Sequence, residues 1–396
     1  LIKRIYKGHS DEELECLWSQ LLQILELNCD NCLDGGKTHI PSWDSSTAVL
    51  ITYADGVNSS GKSSLKLLNE IIDNYLENLA PIVHILPFLC ATSDGGFLFV
   101  GYTWSFGNAQ QVYVIKTDLN GNVIWERNFG ASMWDVGNAV IEVAGGGYVI
   151  AGYSNSPGIS SGNTDMYLIK LDTSGNLKWE KAYGNAAFPN HEWAYDLVQL
   201  LDEGFIIVGS RDRYNEGGKN SLVIRTDKSG DVIWEKELLD NTQIHETIYS
   251  VSKSLNGALY LCVSSNSIEN PLIFQPKIIK MDLSGNVEWQ RTFNSNSREY
   301  HQFKATNTID GEIIIVGTSI QEIAAGNREN AFMLKIDENG NILWTHPYGS
   351  YDNDDWGWSV FETPKSSLVF VGSTRSFGAS LFDIYLVGTN SNGISH

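Results

Sequence analysis

The chain has 396 residues, of which 47 are acidic and 27 basic, giving a formal net charge of −20 at pH 7. This balance disfavours nucleic acid and anionic membrane surfaces as partners, and suits neutral ligands, cations or basic surfaces. No apolar run is long enough to predict a membrane span. The 37 glycines, 12 tryptophans and 17 tyrosines favour an all-β repeat protein. The five cysteines do not form a disulfide framework, and Cys29 and Cys32 supply half of a zinc site at most.

The first 81 residues predict a small α/β segment. Apolar spacing, capping residues and β-branched runs predict, in chain order, a helix over 9–27, a strand over 48–53, a helix over 63–79 and a strand over 82–88. Residues 82–396 are predicted to form a second, larger domain.

Gly56 to Ser63 matches the phosphate-loop pattern G-x-x-x-x-G-K-[ST] between a predicted strand and a predicted helix. In that interpretation Lys62 would contact the β- and γ-phosphates and Ser63 would bind Mg²⁺. A nucleotide-binding fold needs several further parallel strands, whereas a different kind of repeat begins within about 20 residues. Nucleotide binding is therefore a second alternative for the function.

The N-terminal segment also resembles the start of sucrose phosphorylase and related glucosyl-transferring members of the α-amylase superfamily. The resemblance rests, in order, on Arg4-Ile5-Tyr6, Val49 to Asp55, Leu65 to Leu76 and Val83 to Phe88. It implies that 51–55 and 84–88 are the first two barrel strands, and that Asp94 is the glucose-subsite carboxylate. The family's paired catalytic carboxylates have no counterparts here, and two strands cannot close an eight-stranded barrel. We therefore expect a truncated barrel start, and hypothesise that the chain is a fusion or a chimeric gene product.

From about residue 84 onward one pattern recurs about every 55 residues, a period typical of solenoids and propellers. An Asp-x-x-Gly step, Asn390-x-x-Gly393 in its last copy, places glycines at Gly121, Gly175, Gly230, Gly285, Gly340 and Gly393. Four residues after each of the first five glycines comes a tryptophan: Trp125, Trp179, Trp234, Trp289 and Trp344. We predict that these tryptophans pack between repeats and that Lys116, Lys170, Lys280 and Lys335 are scaffold residues.

Each repeat predicts four short strands, which in the second repeat cover 138–143, 147–153, 165–171 and 177–183. The second strand follows a Gly-Gly or Glu-Gly pair and is apolar at successive positions, as a sheet covered on both faces requires. The predicted fold is a six-bladed β-propeller of four-stranded antiparallel blades with a small α/β N-terminal extension. The sixth blade lacks its fourth strand, so either the chain is truncated or an N-terminal strand such as 48–53 completes the ring.

These repeats resemble the β-propeller repeats of large, mostly bacterial and archaeal, secreted or surface proteins. The resemblance rests on G-G-[FY]-x-[IV]-x-G, then [VM]-Y-[VL]-I-K-x-D-x-x-G-N, then W-[EQ]. It implies an extracellular or cell-surface location and says little about molecular function, because propellers serve as binding platforms, structural modules and enzymes.

The loops between one blade's last strand and the next blade's first strand differ most between repeats, and we place the candidate site there. The predicted ligand-binding residues are Trp134, Asp135, His191, Trp193, His301, Asp355, Trp356 and Trp358, with Glu192, His245, Glu246 and Tyr300 in the same loops. Aromatic rings beside carboxylates suit a carbohydrate or a peptide cation. Oxygen ligands from Asp352, Asp354 and Asp355 form a candidate Ca²⁺ site.

The sequence thus predicts a monomeric, non-catalytic binding or scaffold propeller for a protein or carbohydrate ligand, with no cofactor other than the candidate Ca²⁺. No catalytic residue is assigned. The first alternative is a carbohydrate-active protein related to the glucosyl-transferring phosphorylases, with an incomplete barrel segment.

Overall fold

The computed structural model describes residues 84–105, 109–184, 190–213, 218–238, 244–254, 256–267, 275–293, 304–323, 326–350, 353–363, 366–376 and 383–395. The predicted N-terminal helices, the strand over 48–53, the Gly56 to Ser63 loop and the cysteine pair lie outside the described residues. The strand predicted over 82–88 is represented by its later part, which begins at His84.

The described residues form 23 β-strands in six sheets, which confirms the predicted all-β propeller. Blade one contains β1 His84–Ala91, β2 Phe97–Thr103, β3 Gln111–Thr117 and β4 Val123–Phe129; blade two contains β5 Asp135–Glu142, β6 Tyr148–Ser154, β7 Asp165–Leu171 and β8 Leu177–Tyr183. Blade three contains β9 Asn190–Gln199, β10 Phe205–Arg213, β11 Lys219–Thr226 and β12 Val232–Leu238; blade four contains β13 Ile244–Lys253, β14 Leu259–Ser267, β15 Gln275–Met281 and β16 Val287–Thr292. Blade five contains β17 Lys304–Asn307, β18 Ile313–Ile323, β19 Gly326–Ile336 and β20 Ile342–Tyr348; blade six contains β21 Asp355–Glu362, β22 Leu368–Thr374 and β23 Asp383–Thr389.

Strands that follow one another in sequence are neighbours in every sheet, so each blade is a meander. Blades one to five have four strands, and the described part of blade six has three. The strands fall into two compact units, with β1 to β12 in one and β15 to β23 in the other.

The hairpin between the third and fourth strands explains the recurring Asp-x-x-Gly step. In blade two, Asp172 Oδ1 accepts hydrogen bonds from the amides of Ser174 and Asn176, each at 2.9 Å. Gly175 has a φ of +77°, a conformation that costs other residues a Cβ clash. Side-chain and backbone preferences therefore specify the same turn.

A β-bulge explains the glycine that closes the second strand in blades two, three and six. The inner strand of blade two shifts register between Gly137 and Ala139, and this shift brings the Val136 carbonyl towards β6. A Cβ at Gly152 would lie 1.9 Å from that oxygen. The glycine is needed because the partner backbone comes so close.

The recurrent tryptophans pack between blades, as predicted. A Cβ on Gly175, in the blade-two hairpin, would lie 2.8 Å from the Trp125 ring of blade one. Trp125 Nε1 also donates to the Thr173 carbonyl at 3.3 Å. Equivalent contacts join the pairs Trp179 and Gly230, Trp289 and Gly340, and Trp344 and Gly393. Each ring covers the hairpin of the blade that follows it in sequence.

Asp94, which the phosphorylase resemblance implied as a glucose-subsite carboxylate, lies in the turn between β1 and β2 of blade one. It accepts hydrogen bonds from Thr92 Oγ1 at 2.6 Å and from Lys116 Nζ at 3.0 Å. Partial burial acts to raise its pKa, but hydrogen bonds from Thr92, Gly96 and Lys116 lower that pKa to about 2. Lys335 contacts Asp310 at 3.0 Å in the matching turn of blade five, so the arrangement belongs to the repeat.

Candidate functional site

Asp135 and Asp355, both predicted site residues, are fully buried and hold equivalent loops in blades two and six. Asp135 accepts from Ser156 Oγ at 2.8 Å, the Ala131 amide at 2.8 Å and Ser154 Oγ. Asp355 accepts from Ser376 Oγ at 2.6 Å, the Ser350 amide at 2.9 Å and Thr374 Oγ1. Burial raises the pKa of both carboxyls against these hydrogen bonds. Their described contacts are those of structural residues that fasten a loop to the end of the second strand.

Trp356 and Trp358 lie on the innermost strand of blade six, with exposed fractions of 3% and 4%. Trp356 Nε1 donates to Glu329 Oε2 at 2.8 Å. Both rings are therefore buried at the inner edge of this blade.

The candidate calcium site is described in part. Asp354 Oδ1 accepts from the Glu329 amide at 3.1 Å, and its Oδ2 lies 3.6 Å from Arg375 Nη1. Asp352 lies outside the described residues, as do His301 and Tyr300. No group of three or more His, Cys, Asp or Glu side chains in the described ranges is arranged to hold a metal ion. The calcium site remains a prediction.

His191 and His245 occupy equivalent positions at the start of two consecutive inner strands. His191 Nδ1 accepts from the Thr164 amide at 3.3 Å, and His245 Nδ1 accepts from the Lys219 amide at 2.9 Å. Because Nδ1 is the acceptor, the hydrogen of each neutral ring lies on Nε2. Nε2 of each imidazole is therefore a hydrogen-bond donor at the loop end of its strand. In this tautomer Nε2 has no lone pair with which to bind a metal ion.

Blade three places four candidate functional side chains together, and we call His191, Trp193, Asp212 and Lys219 the blade-three cluster. In the strand register, His191 is opposite Asp212, and Asp212 is opposite Lys219. Directly opposed residues of neighbouring strands present their side chains to the same face of a sheet. These three polar groups thus form a row across β9, β10 and β11 on one face.

Trp193 supplies the aromatic surface of the cluster. Its ring stacks against His191, with centroids 5.8 Å apart and an interplanar angle of 29°. Lys219 Nζ lies 4.8 Å from the Trp193 centroid, within cation–π range. All four members of the cluster are partly exposed.

Two buried hydroxyls lie one step further along the same face. Ser210 is opposite Trp193, and Ser221 is opposite Ser210. Both serines are fully buried, and neither Oγ has a hydrogen-bond partner within the described part of the chain. Buried hydroxyls are usually bonded, so this pair adds unused hydrogen-bonding capacity to the face that carries the cluster.

The opposite face of blade three carries a charged network. Arg211 Nε contacts Glu192 Oε1 at 2.7 Å, Arg211 Nη2 contacts Glu235 Oε1 at 2.7 Å, and Arg211 Nη1 contacts Glu237 Oε2 at 3.4 Å. Glu192 is fully buried, and its Oε2 has no partner among the described residues. Burial raises the pKa of Glu192 to about 7, with Arg211 opposing the rise and Asp165 and Glu235 adding to it.

Trp134 is the most exposed of the predicted site residues that the structure describes, with an exposed fraction of 58%. Its backbone is held by Asn155, whose Oδ1 accepts from the Trp134 amide at 2.7 Å and whose amide donates to the Trp134 carbonyl at 3.0 Å. An exposed indole on a fixed backbone is a second aromatic platform at a loop of blades one and two.

Of the predicted residues, the structure brings His191 and Trp193 together. Asp212 and Lys219 were missed, because sequence reasoning looked only at loops before the inner strands. Their position in the sequence could have identified them, since both are charged residues at the ends of two apolar strands that flank one loop. Pairing β10 with β11 from that loop would have placed them opposite each other.

No known family model matches this chain. The N-terminal stretch is similar to curated phosphorylases. It is 40% identical over 60 residues to a glucosylglycerate phosphorylase from Escherichia coli, covering 15% of this chain and 11% of the relative. It is 50% identical over 54 residues to a sucrose phosphorylase from Streptococcus mutans, covering 14% and 10%. The chain thus spans about a tenth of the length of these relatives.

Solved structures share the fold at low identity. The β-propeller domain of the Trilobed protease from Pyrococcus furiosus has a TM-score of 0.42 and 13% identity, covering 78% of this chain and 82% of that one. An α-L-arabinanase from Penicillium chrysogenum has a TM-score of 0.46 and 13% identity, covering 77% and 93%. An ulvan lyase has a TM-score of 0.48 and 8% identity, covering 76% and 79%.

These neighbours correct the prediction that the chain is not an enzyme. The arabinanase and the lyase are named as enzymes, and so are a sialidase and a levansucrase that match the fold. Within the described ranges, no helix is long and apolar enough to cross a membrane.

Proposed function

We propose that this chain has a carbohydrate-related function and that the blade-three cluster binds the sugar. The observation that carries the proposal is the row of His191, Asp212 and Lys219 beside the Trp193 ring. Sugars combine apolar C–H faces with hydroxyl groups that both donate and accept hydrogen bonds. The cluster offers an aromatic surface for the first property and polar groups of both kinds for the second.

The cluster is also held in place before any ligand arrives. The Trp193 ring stacks against the His191 ring and lies within cation–π range of the Lys219 ammonium group, and backbone amides hydrogen-bond to the imidazoles of His191 and His245. Side chains fixed in this way lose little conformational entropy on binding. The short phosphorylase match of the N-terminal stretch supports the same class of ligand.

The test is binding of the purified full chain to a panel of oligosaccharides by isothermal titration calorimetry. Trp193→Ala should weaken binding at least about tenfold, which corresponds to about 1.4 kcal/mol. Trp193→Phe should restore part of the affinity because it keeps a ring. Leu201→Ala is the control, since Leu201 is 98% exposed just beyond the other end of β9. Absence of binding to every sugar, or equal binding by the Trp193→Ala variant, would refute the proposal.

A further inference from the structure

The polar row of the blade-three cluster alternates in hydrogen-bonding character. His191 Nε2 and the Lys219 ammonium are donors, and the Asp212 carboxylate between them is an acceptor. None of the three is engaged in an ion pair among the described residues. Neighbouring strands are about 4.8 Å apart, so the row spans about 10 Å, which is a distance of one to two sugar rings.

This alternation discriminates between classes of sugar. A hydroxyl group can donate to Asp212 and accept from His191 or Lys219, so an uncharged sugar satisfies the whole row. A carboxylate or sulfate group can only accept, and it would face the Asp212 carboxylate unpaired. An ammonium group can only donate, and it would face Lys219 and the imidazole donor.

The network on the opposite face adds a second reason to exclude acidic sugars. Residues alternate between the two faces of a strand, so Glu192 lies behind His191 and Trp193, and Arg211 lies behind Asp212. When ionised, the three carboxylates of Glu192, Glu235 and Glu237 outnumber the one guanidinium of Arg211 by two charges. The field behind the cluster is then negative and repels an anionic ligand.

We infer that the blade-three cluster selects an uncharged sugar, with Asp212 as the residue that determines this specificity. The inference rests on the proposed function, because it names the class of carbohydrate that the same site binds. In this inference Asp212 accepts hydrogen bonds from sugar hydroxyl groups, and His191 and Lys219 donate to sugar hydroxyl oxygens. Trp193 contacts the apolar face of a sugar ring.

The experiment uses pairs of glycans that share a backbone and differ in one functional group per sugar, which is charged in one member and neutral in the other. Galacturonan oligomers are compared with their carboxyl-reduced form, and glucosamine oligomers with their N-acetylated form, by calorimetry on the full chain. Both pairs belong to the panel that tests the proposed function. The neutral member of a pair should bind at least about tenfold more tightly than the charged member, and its affinity should change less than about twofold between low and high salt.

The variant Asp212→Asn sharpens the test, because it removes the central negative charge and adds a donor. It should weaken binding of the neutral glycan about tenfold and strengthen binding of the galacturonan. Lys219→Gln should weaken binding of the neutral glycan, whereas the control Lys228→Gln should not. Lys228 is an exposed lysine in the turn at the other end of β11, so both variants lose the same charge.

The outcomes separate the two proposals. If no member of the panel binds, carbohydrate binding itself fails. If a charged member binds as tightly as its neutral partner or more tightly, carbohydrate binding stands and the inference about an uncharged sugar is overturned. Equal effects of Lys219→Gln and Lys228→Gln would show that the row does not contact the ligand.

Discussion

The buried carboxyl of Glu192 makes the stability of the chain depend on pH in a way that one substitution should remove. Burial raises the pKa of Glu192 from its usual 4.5 to about 7. The folded state therefore binds this proton more tightly than the unfolded state does. As pH rises from 4.5 through 7, the unfolded chain releases the proton first, and folding is progressively penalised. At 1.36 kcal/mol per pH unit, the penalty above pH 7 is about 3 kcal/mol.

Glu192→Gln removes the titrating group and keeps the size and polarity of the side chain. The difference in unfolding free energy between this variant and the natural chain should grow in the variant's favour by about 3 kcal/mol between pH 4.5 and pH 8. Loss of the Arg211 contact adds an offset that leaves this trend in place. Urea unfolding followed by tryptophan fluorescence at several pH values measures the difference.

The control is Glu338→Gln, which alters an exposed glutamate in the turn between β19 and β20. Its unfolding free energy should follow that of the natural chain across the same pH range. A constant difference between Glu192→Gln and the natural chain from pH 4.5 to pH 8 would refute the reasoning, because Glu192 would then titrate alike in the folded and unfolded states.

Two further predictions concern the scaffold. Gly175→Ala should lower the unfolding free energy by about 2 to 4 kcal/mol, because it combines positive-φ strain with a clash against the Trp125 ring. The control Gly158→Ala, where φ is similar and the space around the added Cβ is open, should lower the unfolding free energy by about 1 to 2 kcal/mol. Equal losses for the two variants in urea unfolding would show that the contact with the Trp125 ring is unimportant. Lys116→Met should raise the pKa of Asp94 from about 2 towards its usual 3.8, because a hydrogen bond and a positive charge are lost; an NMR titration that finds no change would contradict the role given to Lys116.

The fold was predictable because the same pattern of strands and turns recurs in every repeat. The predicted bounds 165–171 and 177–183 match β7 and β8, and the start of β5 differs by three residues. The Trp125 contact was predictable from its spacing after the turn glycine. In each case local preference and the repeat agree, so a single sequence contained redundant information.

The site was less predictable because burial is decided by neighbours distant in sequence. Asp135 and Trp134 are adjacent, yet Asp135 is fully buried and hydrogen-bonded to Ser154 and Ser156, whereas Trp134 is mostly exposed. Asp212 and Lys219 lie on either side of a loop, and the strand register determines that they share a face with His191. Sequence composition identifies candidate residues but not the pairing that groups them.

The contact between the tryptophan of one blade and the turn glycine of the next determines when each ring is buried during synthesis. Trp125 covers Gly175, so its ring reaches its partner after a further 50 residues have been translated. At about 5 to 20 residues per second, each such ring waits roughly 3 to 10 seconds. A nascent chain would thus carry one uncovered indole near its growing end. Each new hairpin covers the tryptophan of the preceding blade and is followed by the next uncovered tryptophan. Translation rate and ring burial are linked in this way, and pauses placed within a repeat would prolong the exposure of that indole.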